Sequence, residues 1–135
     1  MSNTADPATD DRSAVVRSLF AALNRGPAAL EEVLAHFAAD ASYRMNAWLE
    51  PHVGVDAIRA ELERQATTFE DLDSEIVRLV ASGDSVMVER HDRMTIGGKR
   101  ITLHFAGRLT LDPDARITEW VDWFDSAEVP AVLQG

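Results

Sequence analysis

The first half of the chain carries apolar residues at helical spacing. One stripe begins after Asp10 or Asp11, either of which can cap a helix, and its members are Val15, Val16, Leu19, Phe20 and Leu23. Gly26 and Pro27 favour the end of this helix and the start of another. The second helix is expected to end near Asp40, and its inward positions are Leu30, Val33, Leu34 and Phe37.

A short strand, a loop and a third helix are predicted next. Residues 41–48 are typical of the strand, and residues 51–54 of the loop, which begins with proline and ends with glycine. Residues 56–67 have the helical pattern, with Ile58 and Leu62 facing inward. The first half of the chain is therefore mainly helical.

The second half of the chain changes to strands separated by turn residues. The four predicted strands cover residues 72–81, 85–96, 99–111 and 116–124. Gly97 and Gly98 are a strong two-residue hairpin signal between the second and third of them. Helices followed by an antiparallel meander predict an α+β fold. We expect the N-terminal helices to pack in the concave face of a single curved, mainly antiparallel mixed sheet, a cone-shaped barrel whose mouth is a pocket.

Alternation along the second of these strands places charge on its apolar face. Arg90 and Asp92 share that face with Val86, Val88, Met94 and Ile96. Charged groups are costly to bury unless they are paired, so both are expected to have partners. The last strand offers a second carboxylate, Asp122, on the face that also carries Trp120 and Phe124. These residues would meet at the floor of the pocket.

The last strand is apolar on both faces, because its other side carries Ile117, Val121 and Trp123. This pattern fits a sheet whose outer surface is also covered, most simply by a second subunit. We therefore expect a homodimer.

Composition is that of a single globular domain. The chain has 135 residues, no cysteine and a formal net charge of −10, and this charge argues against nucleic acid and anionic membranes as partners. No apolar run reaches membrane-spanning length, and the N-terminus is unlike a signal peptide. We predict a disordered tail over residues 1–10, one domain over residues 11–135 and a cytoplasmic location. The histidines lack the spacing of a metal site, so no metal is expected.

A guanidinium between two carboxylates in an apolar pocket would have a defined chemistry. Two like charges close together cannot both stay ionised cheaply, so the pKa of one acid rises and the pair shares a proton. The arginine stays protonated and can donate hydrogen bonds to both acids. Arg90, Asp92 and Asp122 would thus give one group that donates a proton and one that accepts it.

The chain carries two short motifs and one upstream aromatic residue, namely Arg90-x-Asp92, Trp120-x-Asp122-x-Phe124-Asp125 and Tyr43. Together they resemble the limonene-1,2-epoxide hydrolase family. The resemblance extends from the first helix to Asp125 and includes the wider SnoaL-like, nuclear-transport-factor-2-like superfamily of cystatin-like α+β proteins. It implies a homodimeric enzyme, without cofactor or metal, that adds water to a small, largely apolar epoxide and releases a vicinal diol.

The resemblance also implies roles for individual residues. Asp122 would be the general base that draws a proton from the attacking water, and Tyr43 and Asn46 would hold that water. Asp92 would be the general acid that protonates the epoxide oxygen, and Arg90 would bridge the two carboxylates. The apolar residues implied to contact the substrate are Met94, Leu103, Phe105 and Phe124.

One position departs from the family pattern. The family places its tyrosine and asparagine two residues apart, whereas Asn46 follows Tyr43 by three. A β-bulge between them would bring both side chains to the same side of the strand, and without one Asn46 would face away.

Other functions are compatible with the same residues. A ketosteroid-isomerase-like enzyme would use one aspartate to shuttle a proton at carbon, although an arginine beside that base would depress its pKa. A cyclase would open an epoxide with an internal hydroxyl group. In a non-catalytic binding module, Arg90 and Asp92 would be a structural ion pair, and Asp122 would cap a turn.

Overall fold

The computed structural model describes residues 7–134, with side chains described for residues 11–131. The helices in this part of the chain are α1 Pro7–Leu23, α2 Leu30–Leu34, α3 Val55–Thr68 and α4 Glu128–Gln134, and a 3-10 turn spans Pro27–Ala29. The strands are β1 Phe37–Arg44, β2 His52–Val53, β3 Glu70–Ser82, β4 Ser85–Ile96, β5 Lys99–Leu111 and β6 Ile117–Trp123.

These strands form one sheet in the order β2-β1-β6-β5-β4-β3. β1 runs parallel to β6, and every other neighbouring pair is antiparallel. The sheet is curved and not closed, and the helices pack against it. The predicted α+β class with a single mixed sheet is confirmed, and the cone is an open one.

The main core lies between the helices and the inner face of the sheet. Val16 and Leu19 of α1 and Ile58 of α3 are fully buried there. Their partners on the sheet include Val86, Val88, Leu109 and Trp120. A smaller cluster farther along β4 and β5 contains Met94, Ile101, Leu103 and Phe105. Arg90 and Asp92 follow Val88 and precede Met94, so along β4 they lie between the two clusters.

The N-terminal helices differ from the sequence prediction. α1 begins at Pro7, so residues 7–10 of the predicted tail are helical, while residues 1–6 lie outside the described part of the chain. Proline suits a first helical turn because the N–H that it lacks would have no helical partner there. The second helix ends at Leu34, not near Asp40, because Phe37 already pairs with Ile117 in the parallel β1–β6 ladder.

The central and C-terminal elements follow the prediction more closely. β4 and β5 begin and end at the predicted residues, and α3 is one residue longer at each end. The predicted loop at residues 51–54 contains a short edge strand, since Tyr43 pairs with His52. No helix in the described part of the chain is long and apolar enough to cross a membrane.

Ile117 lies on the inner face of β6, and its expected outward position was wrong. Thr110 pairs with Glu119 but Leu111 pairs with Ile117, so Thr118 is an extra residue in the ladder. A bulge of this kind reverses the alternation of side chains. Ile117 is consequently fully buried in the main core.

Candidate active site

Three charged side chains meet on the inner face of the sheet, as the sequence predicted. Arg90 Nη1 and Nη2 donate to Asp122 Oδ1 and Oδ2 at 2.9 and 3.0 Å. Arg90 Nε and Nη2 donate to Asp92 Oδ1 and Oδ2 at 3.2 and 3.0 Å. Arg90, Asp92 and Asp122 are only 2%, 6% and 2% exposed. The guanidinium therefore bridges two carboxylates away from solvent, through charge-assisted hydrogen bonds.

A glycine on the intervening strand makes this approach possible. Gly107 of β5 pairs with Val88 on one side and with Asp122 on the other. A Cβ atom at Gly107 would lie 2.5 Å from Asp122 Oδ1 and 3.0 Å from Arg90 Nη1. From the sequence, no role was assigned to Gly107. A glycine inside a strand pattern, which often marks a close approach, is the signal that could have identified its role.

Aromatic rings enclose the guanidinium. The Cζ atom of Arg90 lies 4.6 Å from the ring centre of Phe20 and 4.8 Å from that of Phe105. Phe20 belongs to α1 and Phe105 to β5. Such cation–π contacts compensate part of the lost hydration of the cation. Burial opposes its charge, but Asp122 and Asp92 outweigh that effect and raise the pKa of Arg90. The guanidinium therefore stays charged.

The site opens into a cavity of about 470 Å³. Arg90, Asp92, Asp122 and Tyr43 line it together with apolar side chains from the helices and the sheet. Those apolar walls include Leu23, Val33, Leu62, Met94 and Phe105. The volume lies in the range of small-molecule sites, roughly 300–1,000 Å³. Within the described part of the chain, no group of three or more His, Asp or Glu side chains could hold a metal ion.

The same fold is found in known proteins. The model of the SnoaL-like domain family matches residues 16–120 of the chain. The chain belongs to the SnoaL-like family. No match was found among curated protein sequences.

Solved structures extend the comparison of this SnoaL-like protein. An LEH-like epoxide hydrolase from M. tuberculosis is 28% identical with a TM-score of 0.81, over 96% of this chain and 94% of that one. A protein with a ketosteroid isomerase-like fold from Catenulispora acidiphila is 24% identical with a TM-score of 0.77, over 87% and 89% of the two chains. SalBIII, an epoxide hydrolase/cyclase-like enzyme in pyran ring formation in salinomycin, is 20% identical with a TM-score of 0.79, over 87% and 93%. The two lower identities show a shared fold alone.

Tyr43 lies where the sequence predicted, beside the carboxylates. Its ring centre is 4.6 Å from that of Trp120, and its side chain lines the cavity. Burial, and then the charge of Asp122, raise the pKa of Tyr43, so its hydroxyl group stays protonated. Its oxygen accepts a hydrogen bond from Gln65 Nε2 at 3.0 Å.

The structure does not bring Asn46 to the cavity with the other predicted catalytic residues, and its role in holding the water stays a prediction. β1 ends at Arg44, and its ladder shows no bulge between Tyr43 and Asn46. The Asn46 side chain instead binds backbone groups: Oδ1 accepts from Ala47 N at 2.9 Å, and Nδ2 donates to Phe124 O at 2.8 Å. Asn46 is buried, but it does not line the cavity. Its amide joins a turn to the end of β6.

Two of the four predicted substrate contacts line the cavity and two do not. Met94 and Phe105 are part of the wall, whereas Leu103 and Phe124 lie behind it. Leu103 is fully buried in the smaller cluster, and the Phe124 ring packs 4.6 Å from that of Phe105. Leu103 and Phe124 therefore pack behind the residues of the wall, and their contact with a substrate stays a prediction.

Two polar residues of the site were not predicted from the sequence. The Ser74 hydroxyl group is hydrogen-bonded to Asp92 Oδ1, and Gln65 is bonded to Tyr43. Gln65 continues the inward stripe of Ile58 and Leu62 on α3, so a polar residue on an apolar stripe was the available signal. Ser74 had no such signal, because β3 is an edge strand with two register shifts.

Asn24 holds Ser74 in place. Its Nδ2 donates to Ser74 O at 3.0 Å, and Ser74 N donates to its Oδ1 at 2.7 Å. The asparagine side chain thus pairs with both backbone groups of an edge residue, as a neighbouring strand would. This contact ties the end of α1 to the strand that carries the Ser74 hydroxyl to Asp92.

Asp122 has a different set of partners from Asp92. Trp120 Nε1 donates to Asp122 Oδ1 at 2.8 Å, in addition to the two bonds from Arg90. The pKa of Asp122 is nevertheless raised, because burial disfavours its charged form more strongly than Arg90 and Trp120 favour it. An ionised carboxylate with a raised pKa is a stronger base than an ordinary aspartate.

Proposed function

We propose that this SnoaL-like protein is an epoxide hydrolase that adds water to a small, largely apolar epoxide in one step and releases a vicinal diol. The observation that carries the proposal is the bonding of Arg90 to both Asp92 and Asp122 inside the cavity. Opening an epoxide requires a proton for the ring oxygen and a base for the water, and two coupled carboxylates can supply both. The 28% identity with an M. tuberculosis epoxide hydrolase supports the same reaction class.

In the proposed reaction, Asp122 accepts a proton from a water molecule while the oxygen of that water bonds to a ring carbon. The bond between that carbon and the ring oxygen breaks, and Asp92 delivers its proton to the ring oxygen. Water and epoxide are thereby converted to the diol, and one proton has passed from Asp92 to the product as another arrived at Asp122. Both carboxylates line the same cavity, so a water molecule there can take the proton from Asp122 and return one to Asp92 before the next turnover.

Hydrogen bonding supports this division of roles between the two acids. Among the described residues, the partners of Asp122 are N–H groups of Arg90 and Trp120, which can only donate and so favour an ionised carboxylate. Asp92 has Ser74 as a partner, and a hydroxyl group can accept a hydrogen bond as well as donate one. Ser74 can therefore stay bonded to Asp92 before and after the proton is transferred, which suits Asp92 to the role of acid and leaves Asp122 as the base in the proposed reaction.

The substrate proposal follows from the cavity. Its volume of about 470 Å³ and its walls of Leu, Val, Met and Phe side chains suit a compact, mainly apolar molecule. The mechanism uses only side chains and water, so no cofactor or metal is required by it. An isomerase is less well supported, because the compared structure with a ketosteroid isomerase-like fold is 24% identical, whereas the LEH-like epoxide hydrolase is 28% identical.

We further propose that the protein acts as a cytoplasmic homodimer. On the outer face of the sheet, residues paired between neighbouring strands form one row from β3 to β6. The row consists of Val80, Met87, Arg108 and Val121. Met87 is 45% exposed and the nearby Trp123 39% exposed, which fits burial against a second copy. Light scattering from the purified protein is expected to give a dimer mass, and a monomer at working concentration would contradict this part of the proposal.

A panel of epoxides in water enriched in heavy oxygen tests the reaction. The diol is expected to contain one heavy oxygen atom, because water supplies only the new hydroxyl group. Asp92→Asn and Asp122→Asn should each lower turnover by roughly a hundredfold to ten-thousandfold, since each removes a proton-transfer group. Asp73→Asn, at an exposed aspartate on β3, is the control and should be unaffected.

The other outcomes identify the alternatives. A cyclic ether in place of the diol would indicate an epoxide-opening cyclase, and isomerisation of an enone without diol would indicate an isomerase. Binding of epoxides without any turnover would indicate a non-catalytic module. Full activity in either aspartate variant would refute the assigned roles.

A further inference from the structure

We propose that Gln65 is a positioning residue that makes the Tyr43 hydroxyl group donate its proton into the cavity. The inference rests on the proposed function in one respect, because the acceptor in the cavity is the attacking water. The orientation of Tyr43 itself follows from a chain of hydrogen bonds that begins on the surface of α3.

The chain runs through three side chains of α3 to Tyr43. Arg64 Nε and Nη2 donate to the two oxygens of Glu61 at 2.8 and 2.6 Å. Gln65 Nε2 donates to Glu61 Oε2 at 2.8 Å and to Tyr43 Oη at 3.0 Å. Glu61 is buried although it is acidic, so its partners hold it where it can direct the Gln65 amide.

Each link of this chain has a fixed direction. Arg64 can only donate, and an ionised Glu61 can only accept. The hydrogen bond from Arg64, together with the weaker effect of Gln65, lowers the pKa of Glu61, so the carboxylate is ionised at neutral pH. Gln65 must then turn its NH₂ group toward Glu61, and that same group reaches the oxygen of Tyr43. The tyrosine oxygen is thus an acceptor from Gln65.

The remaining hydrogen of Tyr43 can point only into the cavity. Tyr43 lines the cavity, and the described part of the chain offers no acceptor for its hydroxyl proton. A water molecule between Tyr43 and Asp122 would accept this proton and donate one of its own to Asp122. The two hydrogen bonds define the direction of the remaining lone pair of the water, which is the one that attacks.

Gln65 also supplies what Asn46 does not. Both polar groups of the Asn46 side chain are bound to backbone, and Asn46 does not line the cavity. Gln65 does line the cavity, and it is carried by α3. The amide that orders the water-binding groups is therefore carried by α3 instead of by the turn after β1.

Gln65→Met tests the inference, because methionine keeps the length of the side chain and removes its hydrogen bonds. We expect kcat to fall by roughly tenfold to a hundredfold with little change in KM, as when a reacting group is slightly misplaced. The ratio of attack at the two epoxide carbons, read from the position of the heavy oxygen, should also change. Glu63→Gln, at an exposed position of α3, is the matched control and should leave both quantities unchanged.

A double-mutant cycle separates positioning from general stability. In a Tyr43→Phe background, Gln65→Met should cause no further loss of kcat, since Gln65 acts through the missing hydroxyl group. An equal loss in both backgrounds, or an unchanged regiochemistry, would overturn the inference. Gln65→Glu should be as impaired as Gln65→Met, because a carboxylate accepts the tyrosine proton instead of donating to the oxygen.

A spectroscopic measurement keeps the inference testable without catalysis. Tyr43 is the only tyrosine of the chain, so an isotopic label at tyrosine Cζ gives one NMR resonance. That resonance should shift in Gln65→Met and not in Glu63→Gln. If the wild-type protein converts no epoxide, the proposed function fails while this measurement still decides the Tyr43 hydrogen bond. An unshifted resonance would refute the positioning role whatever the reaction.

Discussion

Gly107→Ala is the substitution whose effect can be worked out most directly from the structure. The added methyl group would lie 2.5 Å from Asp122 Oδ1, whereas ordinary contact begins at 3.4 Å, so the carboxylate must retreat by about 0.9 Å. Arg90 Nη1, at 3.0 Å from the same methyl group, has to yield as well. Arg90 Nη1 and Asp122 Oδ1 are joined to each other by a 2.9 Å hydrogen bond, and both must move away from the methyl group. That bond and the alignment of the base are therefore lost together.

The expected result is a large loss of activity with a modest loss of stability. A displacement of about 1 Å in a reacting group costs on the order of a hundredfold in turnover. Overpacking destabilises by about 1–3 kcal/mol, and the lower chain entropy of alanine returns about 0.4–1 kcal/mol of that. The protein should therefore still fold, and the loss of kcat should exceed what the unfolded fraction explains.

Diol formation and denaturant unfolding, measured on the same preparations, check this prediction. Ala106→Ser, at the adjacent exposed residue of β5, is the control for changes in the strand itself. Wild-type kcat in Gly107→Ala would show that the contact between Arg90 and Asp122 does not carry the chemistry. A loss of stability equal to that of a core deletion would show that the strand, and not the site, had been disturbed.

Two further substitutions test the partners of the site. Trp120→Phe removes a donor that favours the charged form of Asp122, so the pKa of this base should rise further. On acidification, the variant should therefore lose activity at a higher pH than the wild type does. The pH profile of kcat/KM measures this shift; Trp123→Phe, on the half-exposed outer face, should not move it. Asn46→Ala should lower the free energy of unfolding by about 1–3 kcal/mol, since it leaves buried backbone groups unpaired. Its kcat should stay within about twofold of wild type, because no reacting group moves. A larger loss of kcat would show that Asn46 takes part in the reaction.

Local periodicity explains how much of the site could be predicted. The two-residue period of a strand places Arg90 and Asp92 on one face wherever β4 lies, and both proved to be buried and paired. The same argument failed for Ile117, because the extra residue Thr118 interrupts the ladder. The role of Asn46 came from the family resemblance and not from periodicity, and Asn46 lies beyond the end of β1, where the strand period no longer applies.

The sequence by itself determined most of the elements, most of the inner face and the presence of charge on it, because those depend on the order of neighbouring residues. Only the tertiary structure decided which groups meet. The order of strands brings Asp122 across Gly107 to Arg90, and the packing of α3 on β1 brings Gln65 to Tyr43. Contacts of this kind join residues far apart in the chain, and they depend on strand order, bulges and side-chain hydrogen bonds that no local pattern encodes.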